Sequence, residues 1–183
     1  MILGVCGSSS TGKTTLLDAL RREVAFTQKL PNRTCVDARA ILRSMGHHSM
    51  DRMTKQELQI FQRTYIQEKL RVEEAMTNFC VDRTFVDIAA FWICRDAPRG
   101  GALFEDEVVA LCRSKAANYT LHVFLPFGVI PFQSDGYRSE DMQGHQAVSD
   151  CMRVLLEEWK LNWIELDNYD LNWRVNRVLT AIQ

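Results

Sequence analysis

The stretch "GVCGSSSTGKTTL", residues 4–16, decides how the rest of the chain is read. The apolar run "MILGVCG" (1–7) leads into it, and "TTLLDALRREV", with helical spacing, leads out. Between them Gly7 to Thr14 fits G-x-x-x-x-G-K-[ST], a phosphate-binding loop set between a strand and a helix. The glycines Gly7 and Gly12 let the backbone turn tightly, so that the N–H groups of Ser8, Ser9, Ser10 and Thr11 converge on phosphate oxygens. The helix after the loop adds its positive end. In this reading Lys13 reaches the β- and γ-phosphates, the Thr14 hydroxyl joins a magnesium shell, and Thr15 completes the exit of the loop. The competing reading is a glycine-containing turn, which has no need of a strand before it and a helix after it. ATP and Mg2+ are the expected cofactors.

Beyond the loop, short apolar runs alternate with amphipathic helical patterns, the rhythm of an α/β fold with a parallel sheet. Five strands are expected, at 1–7, 34–37, 79–82, 119–125 and 162–167. The longest helix starts at "TKQE", where Thr54 and Glu57 spell a capping box, and Leu58, Phe61, Tyr65, Val72 and Met76 keep one face apolar. Val148, Cys151, Leu155 and Trp159 mark a later helix, and Leu171, Val175, Val178 and Ile182 a last one. The 183 residues, 46% hydrophobic, suit one domain with helices on both faces of the sheet, a three-layer P-loop NTPase arrangement.

The charge balance, 22 Lys and Arg against 23 Asp and Glu, creates no global field that would draw in nucleic acid or an anionic membrane. The six cysteines form no C-x-x-C pair, and most lie in apolar stretches, so they read as reduced core residues rather than zinc ligands. Without a signal-peptide pattern or a membrane-length apolar run, a cytoplasmic location is expected.

A phosphate-binding loop does not choose among kinase, GTPase, motor and regulatory ATPase. In "FCVDRTFVDIAAFW" (79–92), Asp82 stands at the end of a buried strand, with Arg83 beside it and Asp87 five positions on. The C-terminal ends of parallel strands open onto the ligand crevice, which puts Asp82 and Arg83 near the phosphates. Alternatively an aspartate caps the helix starting near Thr84, and for Asp87 the two readings stand level. The third segment, "QSDGYRSED" (133–141), has a Gly-containing turn and Arg138. That is what a closing lid over 133–147 needs, a hinge and a cation for the transferring phosphoryl group. Arg138 pairing with Glu140 or Asp141 on a solvated face is the competing account.

Together, "GSSSTGKTTL", "VDRTFVDIAAFW" and "DGYRSED" resemble the small P-loop ATPase/kinase family that includes nicotinamide riboside kinase domains and bacteriophage relatives. More distantly the chain is similar to deoxynucleoside kinases and thymidylate kinase. The resemblance implies a five-stranded parallel sheet of the nucleoside/nucleotide kinase type and phosphoryl transfer from ATP to a hydroxyl. The expected acceptor is a small nucleoside or nucleotide. Phage members of the group that act on 5-hydroxymethyluracil within DNA make a DNA-borne base the alternative. Asp37 in "VDAR" stands where related kinases often carry Glu, and "GYR" replaces simpler lid spellings.

Phosphoryl transfer asks the protein mainly to position groups and neutralise charge, work that falls to Lys13, Thr14 and Arg138. A carboxylate must also take the hydroxyl proton. Asp37 and Asp82, both expected at strand ends, are the candidates, with Asp37 favoured as base and Asp82 as magnesium or acceptor ligand. Arg39 and Arg83 either hold an acceptor phosphate or pair with those aspartates, and Asp87 lies on the same side. Phe61, Tyr65 and Trp92 are able to stack on a base, although helical spacing reads Phe61 and Tyr65 as core. The stretch "DNYDLNWR" (167–174) is expected to contact adenine. A regulatory ATPase needs a residue that positions water, and no sensor or arginine-finger segment follows Asp82. A nucleotide-binding module without turnover has no use for the acid and lid candidates.

Overall fold

Alternation along three central strands sends side chains to two separate cores. Leu3 and Val5, Cys80, and Leu121 and Val123 point to one face, while Cys6, Phe79 and Val81, and Phe124 point to the other. The structure, a computed structural model, describes residues 1–96, 106–134 and 140–183. Its strands are β1 (Ile2–Cys6), β2 (Asn32–Thr34), β3 (Phe79–Asp82), β4 (Leu121–Phe124) and β5 (Trp163–Glu165). They form one parallel sheet in the order β2-β3-β1-β4-β5. The first face is covered by α1 (Lys13–Leu20), α2 (Val24–Lys29) and α8 (Leu171–Ala181). On the second lie α3 (Ala38–Ser44), α4 (Lys55–Glu74), α5 (Phe85–Phe91), α6 (Glu107–Ala116) and α7 (Met142–Glu158). This is the three-layer α/β architecture of P-loop nucleoside kinases. No helix among the described residues is long and apolar enough to cross a membrane.

Helix starts follow local chemistry. Thr54 and Glu57 make the expected capping box, Glu57 N donating to Thr54 Oγ1 at 3.3 Å and Thr54 N to Glu57 Oε2 at 2.7 Å. Asp141 and Asp170 cap α7 and α8 by accepting from Gly144 N and Trp173 N.

Two expectations need correction. The second strand is not 34–37 but Asn32–Thr34, paired with β3 from Asn32 opposite Phe79 to Thr34 opposite Val81. The chain leaves the sheet at Cys35 so that Asp37 can cap α3, its Oδ1 accepting from Ala40 N at 2.9 Å. Asp37 therefore does not project from a strand end. The cysteines also divide differently. All six thiols are free, but only Cys6, Cys80 and Cys112 are buried, whereas Cys35 and Cys94 are exposed and Cys151 is half-buried.

At the centre of β1, Gly4 leaves room for the side chains that cross over it. A Cβ there would overlap Thr84 Cγ2 and lie 2.7 Å from Tyr119 Cδ2. Tyr119 cannot give way easily, because its hydroxyl donates to Glu73 Oε2 at 2.8 Å. Gly4→Ala is expected to lower the free energy of unfolding by ~1–3 kcal/mol, checked by urea denaturation against wild type.

Candidate active site

Gly7 leaves β1 into a loop whose shape excludes larger residues at both glycines. A Cβ on Gly7 would meet the Leu125 carbonyl oxygen at 2.6 Å, and Gly12, at φ 86°, would meet Ile130 Cδ1 at 2.7 Å. Ser10 also takes a left-handed conformation, φ 59°, and its hydroxyl donates to the Gln133 carbonyl at 2.8 Å. Thr11 Oγ1 donates to the Ser8 carbonyl at 3.1 Å. The first turn of α1 has no acidic residue of its own and no side-chain cap, so its first N–H groups are left without a capping side chain.

Lys13 folds back into this cradle, donating from Nζ to the Gly7 carbonyl at 2.8 Å and the Ser8 carbonyl at 2.6 Å. Burial, reinforced by the Arg83 guanidinium, lowers its pKa to about 8, against the pull of Asp82 and Asp87. Asp82, buried at the end of β3, accepts from the Thr14 hydroxyl at 2.9 Å. The two residues expected to share a magnesium ion are thus in direct contact. Thr15 is exposed at the cavity wall, and Ser8 and Ser9 are buried beneath it.

Asp87 resolves in favour of the helix cap, and does more. One of its oxygens accepts from Thr84 N at 2.6 Å and Thr84 Oγ1 at 3.0 Å, completing a capping box at the start of α5, while the other accepts from Gly7 N at 3.1 Å. Burial pushes its pKa up, opposed by Arg83 and Lys13. Arg83 itself sits at φ 70°, held by its N–H donating to the Val5 carbonyl at 2.9 Å and its carbonyl accepting from Lys69 Nζ at 2.7 Å. Lys69, 1% exposed, is paired in turn with Glu73.

Lys13, Thr14, Asp82, Arg83 and Asp87 line one cavity of about 770 Å³. The loop forms its floor. Tyr169, Leu171 and Arg174 form one end, and on the other end Asp37, Arg39, Phe61, Gln62, Tyr65 and Phe91 face them. Asp37 is mostly exposed, with Oδ2 3.8 Å from an Arg43 nitrogen, and Arg39 is exposed on the first turn of α3. Phe61 and Tyr65 are core residues that also wall the cavity, and the buried Tyr65 hydroxyl has no partner among the described residues. Trp92 is fully in the core and lines no part of it. Arg138 and the turn at Asp135 and Gly136 lie outside the described residues. Of the expected lid, residues from Met142 onward form the first turns of α7.

Three wall residues escape the motif reading. Gln62 interrupts the apolar face of α4, a buried polar position visible in the pattern Phe61, Gln62, Tyr65. Arg174 stands on the inward stripe of α8 between Leu171 and Val175. Its Nη1 donates to the Thr11 carbonyl at 3.1 Å and its Nε to the Asn168 carbonyl, so it ties the loop to "DNYDLNWR". The buried His145 reaches back from α7, Nδ1 lying 3.2 Å from Ser8 Oγ between the rings of Phe127 and Phe132. No local sequence signal marks that contact, which spans 137 positions.

A family model described as an AAA domain matches residues 4–174. No curated protein matches the chain. Among solved structures the chain is similar to thymidylate kinase from Candida albicans, with TM-score 0.69, 13% identity, and 99% of this chain and 90% of that one covered. It is similar also to deoxyadenosine kinase from M. mycoides with bound dATP, with TM-score 0.61, 11% identity, and 100% and 99% covered. With the NadR protein in complex with NR the TM-score is 0.66 at 19% identity, the chain matching over 99% of its length and spanning 50% of that protein. At these identities the likeness is one of fold, that of nucleoside and nucleotide kinases.

The position of Lys13 sets a pH dependence. Phosphate in the cradle favours the charged amine, so the bound-state pKa lies above the free value of about 8. Below that value the lysine is already charged and triphosphate binding is insensitive to pH. Above it, binding must take up a proton and is expected to weaken by up to about tenfold per pH unit until the bound-state pKa is passed. Calorimetry in buffers of different ionisation enthalpy, on both sides of this value, reads the proton directly.

Proposed function

The chain belongs to the AAA domain family, and from that premise we propose that it is an ATP-dependent kinase transferring the γ-phosphate to a hydroxyl of a nucleoside-type acceptor. One observation carries this reading. The phosphate cradle shares a single cavity with the aromatic side chains Phe61, Tyr65 and Phe91, and Lys13, Thr14 and Asp82 line that same cavity. A regulatory ATPase needs room for water there; a transferase needs room for a second molecule.

The hard oxygen donors Thr14 Oγ1 and Asp82 Oδ2, already 2.9 Å apart beside the cradle, fit a magnesium ion that takes its remaining ligands from phosphate and water. Magnesium, when bound, neutralises charge on the β- and γ-phosphates. The chain's own groups do the rest. Loop N–H groups and the start of α1 hold the phosphates, and Lys13 exchanges its two loop carbonyls for phosphate oxygens. Arg174, Tyr169 and Leu171 receive the adenosine end of the donor. Across the cavity Asp37 orients the acceptor hydroxyl and takes its proton while the hydroxyl oxygen bonds to the γ-phosphorus, the bond to the β–γ bridging oxygen breaks, and ADP leaves with that electron pair. We assign the base to Asp37 because Asp82 is engaged with Thr14, whereas Asp37 is mostly exposed at the cavity wall, one oxygen spent on a cap and the other only loosely paired with Arg43. Arg138 belongs to the proposed lid, where it would supply a cation to the transferring group.

Lys13→Ala is expected to lower turnover by at least about a hundredfold while the far-ultraviolet circular dichroism stays that of wild type. Turnover near the wild-type rate would remove the cradle from the mechanism. Asp37→Asn should lower kcat with little change in magnesium dependence, and Asp82→Asn should raise the magnesium concentration needed for half-maximal rate. Exchanged signatures would exchange the two roles. The activity itself is tested with labelled ATP and a panel of free nucleosides, nucleotides and hydroxymethyluracil-containing DNA. Label moving to an acceptor supports the kinase; ATP consumed at the same rate with no acceptor present overturns it.

A further inference from the structure

Two cysteines distant in sequence, Cys94 and Cys151, hold their thiols in contact where the end of α5 meets α7. Cys94 belongs to the π-helical turn Trp92–Asp96 that continues α5, and Cys151 to the middle of α7. Cys94 Sγ donates to the Ala147 carbonyl at 3.7 Å and accepts a hydrogen bond from the Cys151 thiol. Ala147 and Cys151 stand about one turn apart on α7, and a helical carbonyl points along the axis towards the residue one turn on. The contact with the Ala147 carbonyl therefore brings Cys94 to the same patch of α7 that carries Cys151.

The two sulfurs are not equivalent. Cys94 is exposed and Cys151 half-buried. As acceptor of the Cys151 proton, Cys94 has its pKa lowered, against the effects of burial and of the Asp150 carboxylate. As donor, Cys151 has its pKa raised, by that bond first and by burial next. The exposed sulfur is thus the one that more readily becomes a thiolate, the nucleophilic form, and the half-buried one stands behind it with a proton to give. Cys35, also exposed, differs on each count: burial and Asp82 raise its pKa, and its thiol donates to the adjacent Val36 carbonyl.

Packing alone does not call for this pair. Cysteines that serve as small apolar residues lie in the core, as Cys6, Cys80 and Cys112 do. Two sulfurs also fall short of the four ligands of a structural zinc site, and among the described residues no group of three or more His, Cys, Asp or Glu side chains is placed to hold a metal. An exposed sulfur of lowered pKa with a second thiol in contact is the arrangement in which one cysteine is oxidised and the other resolves it.

We infer that Cys94 and Cys151 form an oxidative modification site, which a hydroperoxide converts to a disulfide that ties the π-helical turn to α7. The Cys94 thiolate attacks one peroxide oxygen; an S–O bond forms, the O–O bond breaks, and the departing oxygen keeps that electron pair and takes up a proton. The Cys151 sulfur then attacks the sulfur of the Cys94 sulfenic acid. The S–S bond forms, the S–O bond breaks, and the leaving oxygen receives the Cys151 proton and departs as water. The two sulfurs together lose two electrons and the peroxide gains two; a dithiol reverses the product by exchange. The tie has the cavity on both sides, since Arg95 beside Cys94 lines it, and so does His145, which reaches Ser8 from the helix that carries Cys151. The pair reacts whether or not the chain transfers phosphate.

Peptide mapping tests this directly. The folded, fully reduced chain is exposed to hydrogen peroxide, samples are quenched over time with an alkylating reagent, and each is digested with trypsin in the absence of reductant. Cleavage places Cys94 in the peptide 84–95 and Cys151 in the peptide 139–153. Mass spectrometry is expected to find these two peptides joined, with the loss of two hydrogens, and separated again by dithiothreitol. Cys94 should be consumed at least about tenfold faster than Cys35. In Cys151→Ser, oxidation is expected to stop at a Cys94 sulfenic acid that dimedone traps; in Cys94→Ser, Cys151 should react no faster than Cys35. Thermal melting of the reduced variants controls for folding, and the wild-type map decides the matter if either variant fails that control. Consumption of Cys94 at the rate of Cys35, pairing of Cys94 mainly with a cysteine other than Cys151, or joined peptides found only in cross-linked dimers would each overturn the inference.

Discussion

A single buried carboxylate organises the site. Asp87 accepts from the first amide of the phosphate loop and from the first donors of α5, so the end of β1 and the end of β3 are joined through one side chain. Neither connection is replaceable by water, since the group is 1% exposed. The neutral form of Asp87 would lose acceptor capacity just where three donors converge, and Arg83 and Lys13 oppose the upward push that burial gives its pKa. The cradle, the turn that presents Asp82, and the braced Arg83 all depend on that link.

The same four charges explain why the site is poised rather than simply positive. Lys13 and Arg83 repel one another and are separately attracted by Asp82 and Asp87. Lys13 consequently sits close to losing its proton, and only an incoming phosphate restores its usual basicity. Binding energy from the triphosphate is thus partly invested in recharging the residue that holds it.

How much of this was legible in the sequence depends on the range of the interaction. The phosphate loop's motif is local: its glycines, Lys13 and Thr14 all lie between Gly7 and Thr15, and spacing alone placed it after a strand and before a helix. The five-strand pattern survived because buried parallel strands read as apolar runs. The edge strand β2 was misplaced by two residues for the same reason, since "NRT" is polar and the apolar signal begins at Cys35, where the chain has already left the sheet. Asp87 stood level between cap and ligand because its second oxygen answers to Gly7, 80 positions away. His145 against Ser8, and Arg174 against Thr11, are likewise products of tertiary closure. Gln62 differs, for a polar residue on the apolar stripe of α4 is a local anomaly that helical spacing exposes.

The π-helical turn Trp92–Asp96, which continues α5 and sets the Arg95 guanidinium 5.2 Å from the centre of the Phe91 ring, has a meaning for how such a protein changes over time. A turn of this kind holds one residue more than the α-helix it interrupts. Removing that residue, or adding one beside it, would rotate the downstream side chains by about a quarter turn or more and carry Arg95 off the ring of Phe91. The phosphate loop follows β1 and is joined to α5 through Asp87, two turns upstream of the change. A change in length at this single helical turn would therefore redraw one wall of the cavity, at Arg95 and Phe91, while the bond between Asp87 and Gly7 stays in place.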